Sequence, residues 1–182
     1  MFRVIFVSLL LVGLHSCNAK TDTQSYENKK EFRYKNFKLS VPEYFKATKI
    51  KWKWINENDG ITLNIEKEFS KISINEYVNK SLDLIKNFYP SYELQKTEKI
   101  SKDKVMISFS LTKDYVKIKF IMFVFAFEDC KIVITLAGKE NSLNRSNYLK
   151  FIEFLKQMRV DNEGNKKDKR IEKRTLRNEE QE

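Results

Sequence analysis

The run from Phe120 to Phe127 is eight apolar residues with no polar break. It constrains the fold more than any other stretch of the chain. It is far too short to cross a bilayer as a helix, which takes roughly 20 residues. Read as a strand, its side chains alternate between the two faces of a sheet, so both faces must be buried. Any fold for this chain therefore needs a sheet covered on both sides. The neighbouring pattern supplies the sheet. Val105, Ile107, Phe109 and Leu111 alternate as a strand before the run. Tyr115 to Phe127 and Lys131 to Leu136 form the next two strands, joined by a short turn at Glu128-Asp129.

Earlier segments extend the same plan. Phe37, Leu39 and Val41 alternate with Lys38 and Ser40, and Pro42 ends that ladder because it has no N–H to donate. Ile50, Trp52 and Trp54 alternate with Lys51 and Lys53, predicting a second strand. Asp59-Gly60 marks a hairpin before a third at Ile61, Leu63 and Ile65. The period then changes to helical. Ile74, Tyr77, Val78, Leu82, Ile85 and Phe88 share one face, with Ser73 and Glu76 spaced as a capping box and Pro90 as a stop. Tyr92 to Ile100 is a weakly patterned strand. Asn144 to Met158 is a second amphipathic helix, through Tyr148, Phe151, Ile152, Leu155 and Met158. The order is β-β-β-α-β-β-β-β-α. With hairpin-length connections it predicts an α+β fold: a mostly antiparallel central sheet between flanking helices, an α/β/α sandwich.

The N-terminus adds a compartment. Arg3 is followed by an apolar stretch from Val4 to Leu14, and Leu14-His15-Ser16-Cys17 stands where a lipobox would. This reads as a bacterial lipoprotein signal peptide over residues 1–16, cleaved to leave Cys17 lipidated at the new N-terminus, with palmitate among its acyl chains. The competing reading is an ordinary secretory signal with an incidental Cys17. Residues 17–35 are polar and read as a flexible tether, 36–160 as the folded domain, and 161–182 as a charged tail, disordered or loosely helical. The expected location is the bacterial cell envelope, lipid-anchored, on the periplasmic face or the outer surface.

Composition narrows the chemistry. The chain carries one histidine, His15, which leaves with the signal peptide. Histidine-based acid–base catalysis, Ser-His-Asp sites and His-ligated zinc are then excluded. Cys130 is left without an internal disulfide partner, and the adjacent Glu128 and Asp129 disfavour a reactive thiolate there. No Gly-rich phosphate loop is present, since the four glycines are scattered. We expect no catalytic residues, no metal and no cofactor. The formal charge of +10 would draw the protein to anionic headgroups or polyanions. A solvated, lysine-rich surface accounts for it better, because no basic–aromatic motif accompanies the charge, and an envelope location argues against nucleic acid.

The string Phe37-Lys38-Leu39-Ser40-Val41-Pro42-Glu43-Tyr44-Phe45 resembles the opening strand and "VP-x-aromatic" step of the PsbP-like family, which includes the Mog-type Ran-binding proteins and the DcrB-like bacterial lipoproteins. The helix from Ser73, the long hairpin at Tyr115 to Leu136 and the closing helix follow in the same order, covering roughly residues 36–160. The resemblance implies an α/β/α sandwich and a binding or adaptor role. The expected function is therefore a non-enzymatic, membrane-anchored lipoprotein whose domain binds an envelope protein or an apolar ligand. The alternative is a surface-exposed lipoprotein that binds host proteins or polyanions through its basic surface. Trp52 and Trp54, with Tyr44 and Phe45, are the candidate lining of an apolar ligand groove; alternate tryptophans on a strand also suit the inward face of a core.

Overall fold

The computed structural model describes residues 30–159. The signal peptide, Cys17, tether positions 17–29 and the charged tail from 161 to 182 lie outside the described residues. The elements are β1 (Glu31–Tyr34), β2 (Phe37–Ser40), β3 (Lys46–Ala47), β4 (Lys53–Asn56), β5 (Ile61–Phe69), α1 (Ile74–Phe88), β6 (Glu93–Ser101), β7 (Lys104–Lys113), β8 (Val116–Ala126), β9 (Cys130–Lys139), α2 (Glu140–Leu143) and α3 (Ser146–Gln157). Seven strands form one sheet in the order β3-β4-β5-β9-β8-β7-β6, antiparallel at every pairing. A separate hairpin joins β1 to β2.

Strand β8 divides the core. Phe120, Met122 and Val124 point to the face covered by α1, where they meet Ile74, Val78 and Ile85. Ile121, Phe123, Phe125 and Phe127 point to the opposite face, where Phe37, Leu39, Phe45 and the α3 residues Tyr148, Phe151 and Leu155 gather. Every residue of the run except Ala126 is buried.

The expected α/β/α sandwich, the fold that the PsbP-like resemblance implied, is not what the chain forms. Of the described residues 48% are in strands and 24% in helices, so the fold is β-rich. The physical reason lies on the second face. Its cover is composite: the β1–β2 hairpin supplies Phe32, Phe37 and Leu39, the following loop supplies Val41 and Phe45, and α3 covers the remainder. Helices alone do not form that layer. The hairpin also shortens the expected tether, because residues 31–34 pair with 37–40 as β1.

Two local expectations change as well. The strand predicted from Ile50 begins at Lys53, because Trp52 has a positive φ of 61° in a turn closed by the Lys53 N–H donating to Ile50 O at 3.2 Å. At the start of α1 the Ser73 hydroxyl accepts from the Glu76 N–H at 3.2 Å, half of a capping box. The Glu76 carboxylate accepts from Lys80 at 2.8 Å and does not reach back.

Candidate functional site

The four aromatics expected to line a groove sit in the core layer beneath α3 and the β1–β2 hairpin. Phe45 is fully buried and Trp54 is 2% exposed, so neither offers surface to a ligand. Phe45 packs against Tyr148 and Phe151, and Ala47, two residues on, pairs with Trp54. Trp52 and Tyr44 are half-buried at the rim. Trp52 packs edge-on against Phe32 at 5.0 Å, with the Lys51 ammonium 5.3 Å from its ring centre. Tyr44 stands edge-on to Tyr148 and donates its hydroxyl to the Asn147 carbonyl at 3.3 Å, while burial pushes its pKa up to about 12. These contacts are structural. The Trp54 indole N–H has no protein partner.

The groove lies elsewhere, between α1 and the edge strand β6. Helix α1 rests over β7, β8 and β9 and leaves an open groove of about 870 Å³ along β6. Leu82, Tyr89, Pro90, Tyr92 and Leu94 line it. Asn79, Asp83 and Lys86 recur at i, i+4 and i+7 on the helix and add polar groups to the lining. The register explains why Leu94 faces the helix. Leu94 pairs with Phe109 and Lys96 with Ser108, so Gln95 is an extra residue in a β-bulge. The bulge twists the edge and aims Leu94 under α1. Leu94 and Phe88 are about half exposed, extending the apolar surface beyond the groove. The Tyr92 ring packs on Phe109 at 5.6 Å, and its sealed hydroxyl has no protein partner; burial raises its pKa and that of Tyr89.

On the opposite flank of α1, β5 carries a polar strip. Asn64 donates to the Glu66 carboxylate at 2.7 Å, and the Tyr77 hydroxyl donates to Glu68 at 2.7 Å. Burial is the main cause that lifts Glu66 to about 7, with the Glu68 charge adding to it against the lowering Asn64 bond. Lys131, buried beside them, donates to the Ser70 carbonyl at 3.0 Å and has its pKa lowered by burial. A carboxyl held near neutrality can trade a proton. Here it is tied to structural partners and faces no described cavity. Cys130 is fully buried. Among the described residues no group of three or more His, Cys, Asp and Glu could hold a metal ion, and no helix is long and apolar enough to cross a membrane.

Sequence reasoning missed the groove because its lining comes from two weak signals. Leu82 reads from its spacing as part of the buried face of the helix, and Leu94 lies in the least patterned strand. The exposed Phe88 beside Pro90 was the one local hint.

No family model matches the chain, and no curated protein matches it. Among solved structures it is similar to a Pseudomonas aeruginosa crystal structure, described as a protein of unknown function proposed to be a regulator. The two share 11% identity and superpose with a TM-score of 0.51 over 71% of this chain and 95% of that one. At that identity the likeness concerns the fold alone.

Proposed function

We propose that this protein is a non-enzymatic, lipid-anchored binding protein of the bacterial envelope, and that its domain uses the α1–β6 groove to hold an apolar ligand or an apolar segment of an envelope protein. The groove carries the reading. It sets the apolar Leu82 and Leu94 beside the polar Asn79, Asp83 and Lys86, a mixture that can bind an apolar body while fixing its orientation. The lipobox at Cys17 and the apolar stretch before it support the anchor. The loss of the sole histidine, His15, supports a role without acid–base chemistry. The PsbP-like strings around Pro42 point towards binding or adaptor work.

The test is a titration of mature protein with the apolar fluorophore N-phenylnaphthylamine. Wild type should show saturable enhancement, and Leu82→Glu or Leu94→Glu should weaken it at least tenfold with the fold retained by circular dichroism. Unsaturable enhancement, or equal affinity in both variants, contradicts the groove.

A further inference from the structure

Beyond the groove, the β7–β8 hairpin ends in a tip whose chemistry suits a lipid surface. Tyr115 is completely exposed and Val116 is 43% exposed. Lys113 and Lys117 flank them, Lys117 pairs with Glu93 at 2.5 Å, and Asp114 places one carboxylate in the same turn. Asp114 and Tyr115 both take positive φ, 50° and 64°, so the two-residue turn throws the tyrosine ring out beyond the sheet. An aromatic ring with a polar end, beside an aliphatic residue and lysines, matches the water–bilayer boundary.

The pole of the molecule that carries this tip is also where the chain enters the domain. At the tip, Lys113 pairs with Val116, and close by Ile118 pairs with Lys139, the last residue of β9. Helices α2 and α3 start there, and Glu140 of α2 pairs with Lys119 at 3.1 Å. Tyr44 is tied to Asn147 in the first turn of α3, and Lys30 donates to the carbonyl of Glu43 at 2.9 Å. From Lys30, β1 runs away towards the other pole, where the Tyr34 hydroxyl donates to Asp129 in the β8–β9 turn at 3.0 Å. The end of α1 belongs to the tip pole too, since the Ser91 hydroxyl donates to Thr112 O at 2.8 Å. Exposed Phe88 is therefore on the same side.

We infer that the hairpin tip Lys113–Lys117 is a membrane-contacting element that seats this pole of the domain on an anionic bilayer. The inference rests on the anchored reading for its setting. Twelve residues separate Cys17 from Lys30. Such a span reaches at most roughly 40 Å, which holds the entry pole within reach of the surface that Cys17 occupies. Tyr115 and Val116 enter the interface, Lys113 meets anionic headgroups, and the mouth of the α1–β6 groove is brought beside the lipid.

The experiment removes the anchor. Mature chain 17–182 carrying Cys17→Ser is floated with phosphatidylethanolamine vesicles containing phosphatidylglycerol. The wild-type tip should float, and the double variant Tyr115→Asp, Val116→Asp should lower the bound fraction at least fivefold. Phe69→Asp, at the far pole, should float like wild type. Failure of the parent chain to float, undiminished flotation of the double variant, or an equal loss with Phe69→Asp overturns the inference. Both tip positions are solvent-exposed, and thermal melts confirm that the variants fold. Acylation of Cys17 is read separately, by mass spectrometry of the protein from cells, so failure of the anchor and failure of the tip are distinguishable.

Discussion

Glu66 couples its ionisation to stability. Its pKa stands at about 7 in the folded domain against 4.5 ordinarily, so between those values the native state holds a proton that the unfolded chain releases. Its contribution to stability is then fully present below about pH 4.5, is lost as pH rises towards 7, and is level above it. Glu66→Gln keeps the shape and removes the titration. It should raise stability by about 2–3 kcal/mol at pH 8 and change it little at pH 4, as measured by urea unfolding. An equal effect at both pH values would show that burial of the charge is not the cause. A second polar knot fastens α3 to the β4–β5 turn. The Tyr148 hydroxyl donates to Asp59 at 2.6 Å and accepts from Asn56 at 2.7 Å, and Arg145 pairs with the same carboxylate. Tyr148→Phe leaves Asn56 and Asp59 short of a buried partner and should cost about 1–3 kcal/mol. A loss below about 0.5 kcal/mol, the range of an ordinary surface substitution, would mean that water replaces the hydroxyl.

Among the elements, the β7–β8 turn holds two successive residues in a conformation that their side chains oppose. A left-handed backbone costs a non-glycine residue roughly 1–2 kcal/mol, and both Asp114 and Tyr115 adopt it. Tyr115→Gly should therefore stabilise the domain by about 0.5–1 kcal/mol after the added chain entropy of glycine, seen as a higher melting temperature. A lower one would mean that the exposed ring contributes to the fold. Elements set by local periodicity were legible from sequence: α1 through Ile74, Val78 and Ile85, and β8 through an unbroken apolar run that serves two core faces. Elements set by distant partners were not. Strand β1 reads as polar tether because only Phe32 is fully buried in it. Trp52 mimics strand alternation from within a turn.

At the scale of the whole molecule, the same distinction governs cover and site. That the sheet needed two covered faces followed from Phe120 to Phe127. That a β-hairpin and a loop would supply much of the second cover did not, because Phe32, Phe37 and Phe45 meet β8 and α3 only in the folded state. The aromatics that sequence marked for a ligand became that cover, and the groove formed where a bulge turned Leu94 towards α1. As proposed, the domain that carries this groove and the Tyr115 tip is tethered at Cys17. The most direct test is the intact mass of the protein extracted from the membrane fraction of cells. The account predicts a chain that begins at Cys17 and carries acyl chains on that residue. A chain cleaved elsewhere, or one that begins at Cys17 with a free thiol and amine, contradicts it.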